Sequence, residues 1–531
     1  MEFTISLAVV VNAIDENTSF LGVNEYLGVG YIKEVLKQNG YHADIRIILY
    51  NNALNLNDHF TGKEKLIGLS MYSDTVNEVI DVANRLKKQN TDIHITVGGP
   101  QVNGFEREIL EENINIDSVI SFEGEQTFLD LAQRLKNQSA LEGCKGLTYR
   151  DDRGLIIMNP ARELLCHLDS LPYPSREIHE KFHQQYLYIS GSRGCMGGCS
   201  FCGETLAKRE MPYVRTRSAL SIVDEMEFLN NKYKISAFRF TDASFEDPGE
   251  EGFIRANAIF DEIIKRDLKV GLHIFTRTEL VCASPDEYFA KAHVAGVECF
   301  YIGVESGSNE DLVLYNKRGR VETNKQAMLK IRNAGIHLGI GFICFNPFST
   351  YESLLSNAQF LHESGFGHVF YLFQTRLEIL PQAAIRKKID QAGLLPKDSG
   401  YRSHFYQYEF ENPQVRRFFD VVKKAYTAPP IYYMDTILGM HRTWANRILG
   451  GQTHQKIMEF YSEVDQLSMG FAQKSYNYFS QLLNMCFNGA KDEQIEEMSR
   501  SYDLNAIYPI YLEHYNKINI RVTKERIKAS L

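Results

Sequence analysis

Long apolar runs are missing from this chain of 531 residues: no stretch approaches the roughly twenty apolar residues that a helix needs to span a bilayer. No membrane partner is expected. The apolar run at residues 5–11, within MEFTISLAVVVNAIDEN, has no basic segment before it and turns polar at once, so it reads as a strand rather than a signal peptide. Basic charge is also in deficit, with 58 Lys and Arg against 67 Asp and Glu and a net charge of -9. Wide nucleic-acid contact needs a basic face to neutralise phosphates, so none is expected. Cysteine is scarce: nine scattered residues exclude a disulfide framework. The remainder, 44% hydrophobic and 24% charged, is that of an ordinary globular protein long enough for about three domains.

Three of the nine cysteines nevertheless stand together. In SGSRGCMGGCSFCGE (residues 190–204), Cys195, Cys199 and Cys202 form a CxxxCxxC array in a glycine-rich loop. Three thiolates suit a soft metal centre, and an iron–sulfur cubane normally takes four, so these three would leave one iron open to a substrate or cofactor. Zinc is the alternative. It usually wants four protein ligands, while the nearest further cysteine, Cys166, lies well upstream and no histidine follows closely. With Phe201 directly before the last cysteine, the array resembles the signature of the radical S-adenosylmethionine (SAM) enzymes. That resemblance implies a [4Fe–4S] cluster whose open iron chelates SAM, with reductive cleavage giving a 5′-deoxyadenosyl radical. It also implies an external electron donor such as a flavodoxin or ferredoxin. An oxygen-sensitive cluster places the expected location in the reducing cytoplasm.

Residues 1–140 alternate strand and helix periods: strands at 4–11, 43–49, 66–71, 93–97 and 118–121, with helices at 24–39, 75–88 and 125–135. The alternation predicts an α/β fold, a doubly wound parallel sheet, whose ligands sit beyond the carboxyl ends of the strands. There the loops are LSMYS (69–73), VGGPQ (97–101) and FEGEQ (122–126). With LGVGYIKEVLKQNGY ahead of them and the cysteine array behind, these loops resemble the cobalamin-binding domain of B12-dependent radical SAM enzymes. The resemblance implies cobalamin contacts from Ser70, Met71, Tyr72, Gly98, Gly99, Glu123, Gly124 and Glu125. The DxHxxG turn that supplies a cobalt-ligating histidine in methionine-synthase-like domains is missing. The nearest histidine, His94, lies on a strand and reads as a core or surface residue, leaving the 70–72 loop to shield the lower face of cobalt.

Residues 141–185 read as a linker, with a spacer hairpin turning at 151–154 and a boundary at LDSLPYPSRE. From 186 to 390 six βα-type units, the last strand being VFYLF (369–373), predict a partial (β/α)6 barrel with function at the carboxyl ends of its strands. By resemblance Asp242 faces the methionine end of SAM, while Arg277 and the pair Glu305 and Ser306 suit its carboxylate and its ribose or amino group. Phe201 belongs to the same set. A rim ion pair is the plain alternative for Arg277. Asn346-Pro347-Phe348 stands where many relatives carry a GxPGET-like turn, so the adenine contact of that turn is in doubt. Cys282, Cys299 and Cys344 have apolar neighbours and read as buried and inert. Residues 391–531 read as a helical C-terminal domain with helices at 413–425, 453–469, 471–489 and 492–501 and a basic tail that reads as a solvated helix face.

The expected activity is that of a B12-dependent radical SAM enzyme, with methyl transfer to an unactivated carbon of a small-molecule or peptide substrate. Cyclisation or rearrangement without methyl transfer is the alternative within the family. A cluster protein that senses or binds without catalysis is the alternative outside it.

Overall fold

The computed structural model describes residues 3–12, 25–51, 53–203, 214–380, 382–396, 400–402, 408–425 and 431–530. Seven strands form the first sheet: β1 (Ile5–Asn12), β2 (Ala43–Tyr50), β3 (Leu66–Ser70), β4 (His94–Gly98), β5 (Ser118–Ile120), β6 (Leu147–Arg150) and β7 (Ile156–Met158). Their order is β2-β1-β3-β4-β5-β6-β7, with the first five parallel. The period of two in ISLAVVVN explains the doubly wound form. Ile5, Leu7 and Val9 join the core under helices Leu27–Gln38 and Glu125–Lys136, whereas Ala8 and Val10 join the core under Val76–Gln89 and Glu106–Glu112. A strand apolar on both faces is stable only between two helix layers. The 2-1-3-4-5 order puts the topological switch point between β1 and β3, where such sheets bind ligands.

The hairpin expected as a spacer is part of this sheet, since β6 pairs antiparallel with β5 and β7 with β6. The junction to the second sheet is a buried charge cluster. Arg176 reaches Glu25 and Glu225, each at 2.7 Å, and Arg217 reaches Glu225 at 2.5 Å. One guanidinium therefore ties the linker to both domains.

The second half begins with β8 (Leu187–Ile189), the two-residue ribbon β9 (Ser192–Arg193) with β10 (Arg215–Thr216), then β11 (Ala237–Phe240), β12 (Gly271–Thr276), β13 (Val297–Glu305) and β14 (His337–Phe342). The parallel sheet runs β14-β13-β12-β11-β8. The expected sixth strand is not formed at VFYLF, which lies in the 3-10 turn Phe370–Gln374. A single parallel bridge, Phe345 to Arg376, takes its place a few residues later, with the Phe345 N–H donating to Thr375 O and the Leu377 N–H to Phe345 O.

Helices Pro413–Ala425, Ile431–Ile448, Gly451–Phe487, Asp492–Ser501 and Ile507–Ser530 complete the chain. The two helices expected around residue 470 are one, Gly451–Phe487. Ile431–Ile448 packs against β13 and β14, with the His337 ring where a Cβ of Gly439 would sit. Arg447 donates to Val270 O and His293 O, which closes the amino-terminal end of the barrel. The basic tail is not simply solvated: Arg526 pairs with Glu298 at 2.7 Å and lies over Trp444. Among the described residues no helix is long and apolar enough to cross a membrane.

Candidate active site at a cysteine loop and an interdomain cavity

The cysteine loop leaves β8 under tight control. Asp242 is fully buried, and its carboxylate accepts the Gly191 N–H at 2.7 Å and the Ser192 hydroxyl at 2.7 Å, with Arg255 at 3.5 Å. Burial pushes the Asp242 carboxyl above its usual range, against the pull of Arg255. A Cβ at Gly191 would lie 3.0 Å from the Asp242 carboxylate, so a side chain there would press on it. Both oxygens of Asp242, expected to face the methionine end of SAM, are thus taken up by the chain's own loop.

Further along, the Met196 N–H donates to Asp247 at 2.8 Å, and Arg277 bridges Asp247 and Glu279, each at 2.5 Å. The ion pairs expected as the plain alternative for Arg277 are therefore present, and they brace the loop. Residues 314–318 clamp the other side. Ser200 donates to Tyr315 O at 2.9 Å and Leu314 O at 2.8 Å, Asn316 donates to Gly198 O at 2.7 Å, and Phe201 meets Tyr315 edge-on at 5.5 Å. Phe201 thus packs inward as a wedge under the loop. Asp247 and Tyr315 were not singled out in the sequence. Asp247 follows a strand end as Asp242 does, which was the available signal.

Cys195, Cys199 and Cys202 are half-buried and make no disulfide. The Gly197 N–H donates to Cys195 Sγ at 3.2 Å, and a Cβ at Gly197 would lie 3.1 Å from that sulfur. Burial pushes the Cys195 thiol up to about 12 and the Cys199 thiol upward as well, so iron would have to displace their protons. Among the described residues no three Cys, His, Asp or Glu side chains gather around one point as ligands of a single ion. A cubane does not need them to, because each thiolate binds its own iron. The donor set and the glycine cradle fit such a cluster.

Glu305 ends β13 in left-handed backbone, φ 65°, where the ladder to β14 shifts register. Non-glycine residues hold that conformation at a cost of about 1–3 kcal/mol and concentrate at functional sites. Its carboxylate lies 3.5 Å from Lys317 Nζ over two glycines: a Cβ at Gly303 would sit 2.4 Å from Glu305 Oε1, and one at Gly341 3.4 Å from Oε2. Ser306 faces elsewhere. Its hydroxyl lies 2.9 Å from Asp311 and 2.8 Å from Asn357, in a buried network that Asn346 joins through Asp311 at 2.9 Å and Tyr315 at 3.0 Å. Asn346, the first residue of Asn346-Pro347-Phe348, is therefore held in this buried network. Cys299 and Cys344 are buried as expected, whereas Cys282 is only half-buried.

A cavity of about 600 Å³ opens at the carboxyl ends of β3, β4 and β5, with Leu7 of β1 also in its lining, within the range of cofactor sites. Ser70, Tyr72, Gly98, Gly99, Glu123, Gly124 and Glu125 line it. Met71 does not: its side chain is in the core, and its carbonyl lies 2.7 Å from where a Cβ of Gly99 (φ 107°) would be. Deeper in, Leu7, Gly68 and Phe128 form a slot, since a Cβ at Gly68 would meet the Phe128 ring at 2.5 Å. Glu125 and Glu123 also reach Arg193 at 2.6 and 3.4 Å, and Glu123 reaches Arg215 at 2.7 Å, so both carboxylates hold the domains together. No histidine is among the described lining residues. His94 lies at the far end of β4, 2.9 Å from the Ser118 hydroxyl, and burial drives its pKa down to about 4.

The cavity continues onto the second sheet, because Tyr188, Ser190, Arg193 and Thr241 line it too. Exposure alternates along those strands. Phe238, Phe240, Ile274, Phe300 and Ile302 are buried under helices, whereas Tyr188, Arg239, Phe275, Tyr301, Gly303, Glu305 and Gly341 are partly open on the other face. That face runs from the cavity to the Glu305 rim beside the cysteine loop.

Comparison with known proteins agrees with this layout. Residues 17–132 match the B12 binding domain and residues 189–361 the radical SAM superfamily. The chain is 27% identical over 303 residues to an uncharacterised methyltransferase of Pyrococcus horikoshii, covering 56% of this chain and 63% of that protein. It is 26% identical over 344 residues to an anaerobic magnesium-protoporphyrin IX monomethyl ester cyclase of Rubrivivax gelatinosus, covering 61% and 60%. The chain thus spans about three fifths of the length of these curated relatives. Its fold is similar to that of the cobalamin-dependent SAM radical enzyme OxsB, solved with aqua-cobalamin and SAM bound, with a TM-score of 0.70 at 18% identity over 98% of this chain and 83% of that one. The chain thus joins a B12 binding domain to a radical SAM domain, the pairing found in the B12-dependent radical SAM family.

Proposed function

We propose that this protein cleaves SAM reductively at a [4Fe–4S] cluster on Cys195, Cys199 and Cys202 and methylates an unactivated carbon of a small-molecule or peptide substrate. The observation that carries the reading is the shared cavity: its walls come from the cobalamin side of the first sheet and from Tyr188, Ser190, Arg193 and Thr241, which flank the start of the cysteine loop. When bound, the cluster, SAM and cobalamin supply the electron transfer, hydrogen abstraction and methyl transfer. The protein's part is positioning and exclusion of water. Asp242 and Asp247 fix the loop, Glu305 and Lys317 present opposite charges beside it, and the open face between Tyr188 and Tyr301 holds the substrate. Glu305 and Arg277 are assigned to the polar end of SAM, with Asp242 and Ser306 as supports. The slot at Gly68 and Phe128 and the glycines at 98 and 99 are assigned to cobalamin. An external flavodoxin or ferredoxin supplies the electron, and the reducing cytoplasm is the assigned compartment.

Each product should consume two SAM molecules, one leaving as S-adenosylhomocysteine and one as 5′-deoxyadenosine. Substrate conversion with 5′-deoxyadenosine alone would favour cyclisation or rearrangement, a reading supported by the cyclase among the relatives.

A further inference from the structure

The open face of the second sheet carries a basic residue that no carboxylate among the described residues neutralises. Arg239 of β11 aligns with Tyr188 of β8 on one side and His273 of β12 on the other. Its guanidinium lies 4.9 Å from the centre of the Phe275 ring and 5.9 Å from that of Tyr188. Among the described residues it has no hydrogen bond and no ion pair. Its neighbours differ: Arg176, Arg193, Arg215, Arg217, Arg255 and Arg277 each have a carboxylate partner.

The surroundings sharpen the contrast. His273 is 8% exposed, its ring is stacked on Phe275 at 5.2 Å, and its buried Nε2 has no partner; His337 Nε2, in the same layer, is likewise buried without one. Burial, with the charge of Arg239 beside it, keeps His273 neutral. The acids around this layer are already engaged, Glu25 by Arg176 at 2.7 Å and the Tyr188 N–H at 2.8 Å, Glu298 by Arg526 at 2.7 Å, and Asp435 by His368 at 2.9 Å and Tyr511 at 3.0 Å. A guanidinium held between aromatic faces, with unfilled polar atoms next to it, lacks only an oxyanion to complete bidentate pairing.

We propose that Arg239 is the anion-recognition residue of the substrate site, and that the substrate carries a carboxylate or phosphate that pairs with it while the adjoining body lies against Phe275, Tyr301 and Tyr188. The proposal rests on the reading that this face holds the substrate. The carboxylate of SAM is a poor match. Arg277 lies four residues beyond His273 on the same strand line, roughly 13 Å along, with the Phe275 layer between them.

Benzoate, phenyl phosphate and uncharged benzamide are suitable probes, titrated calorimetrically into anaerobically reconstituted holoprotein saturated with SAM. At least one anion should bind tenfold or more tightly than benzamide, and the stronger of the two identifies the group as carboxylate or phosphate. Arg239→Gln should remove that preference while benzamide binding, SAM affinity and cobalamin content stay unchanged. Should the glutamine variant fail to load its cofactors, Arg239→Lys takes its place: a threefold or greater loss of discrimination supports the assignment, and no loss overturns it. Equal binding of the three probes to the wild type, or unchanged anion affinity in Arg239→Gln, would also overturn it. Reduced SAM affinity in Arg239→Gln would give the residue to SAM instead. Probe binding needs no turnover, so failure of the methylation reading shows separately, as missing S-adenosylhomocysteine with anion discrimination intact.

Discussion

Replacing Glu305 by Gln leaves Lys317 buried without its counterion. The side chains are 14% and 5% exposed, and the charged atoms are 3.5 Å apart. At an effective dielectric constant of about 20, the attraction across that distance is about 5 kcal/mol, offset in the intact pair by the cost of removing both charges from water. Breaking such a pair from one side typically costs about 3–5 kcal/mol, because the remaining charge stays buried. Glu305→Gln should therefore lower the unfolding free energy by about 3 kcal/mol or more in anaerobic urea titrations of the cluster-free protein. Glu305→Gln/Lys317→Met, which removes both charges, should recover most of the loss. The same Glu305→Gln change should weaken SAM binding roughly ten- to a hundredfold, the worth of one hydrogen bond to a charged group. Stability within about 0.5 kcal/mol of wild type, well under the cost of a broken buried pair, together with unchanged SAM affinity would refute the reasoning. A double variant no more stable than the single would refute the electrostatic part.

Three further outcomes are expected. Cys195→Ala, Cys199→Ala and Cys202→Ala should each abolish SAM cleavage while cobalamin still binds, and cleavage retained in all three would remove the cluster assignment. Because His94 is neutral in the fold, with a pKa of about 4 against 6.5 for a free histidine, its contribution is present above about pH 6.5 and lost as pH falls toward 4. Asp117 and Lys87 face it, and His94→Gln should flatten the acid limb of the stability curve by up to about 1.4 kcal/mol per pH unit; an unchanged slope counts against this. Gly68→Val, which drives the Phe128 ring toward the cavity, should cut cobalamin loading without affecting the cluster, and wild-type loading would exclude the slot as part of the site.

Much of this architecture is legible in residue order. The alternation in ISLAVVVN, the glycines at 98 and 99 and the three cysteines each carry a local physical requirement, so the parallel sheet, the cavity wall and the loop can be read directly. Elements set by distant partners cannot. VFYLF is apolar and aromatic enough for a strand, yet Phe370 and Phe373 stack on each other and pack against Tyr478 and Phe479 of a helix about a hundred residues on, and the ladder bonds fall at 375–377. Gly470 suggested a break between helices. A Cβ there would meet nothing within 4 Å, and a single exposed glycine costs a long helix only about 1 kcal/mol. Asp242 and Ser306 show the same limit at the site, since residue type marks a polar strand end but does not reveal that Gly191, Ser192, Asp311 and Asn357 reach those side chains first.

The account turns on cobalamin and the cluster bordering one space, and pulsed electron paramagnetic resonance of the anaerobic protein, with Co(II) and the reduced cluster both paramagnetic, measures it. Ser190 lines the cavity and Cys195 follows five residues later, so the chain between them spans at most roughly 18 Å. The Co(II) signal should lack nitrogen splitting from an axial imidazole, and it should show dipolar coupling to the cluster at a separation on the order of that chain length. Nitrogen splitting that vanishes in His94→Ala would contradict the placement of His94. Two uncoupled spins, or a separation well beyond the reach of that segment, would contradict the shared site itself.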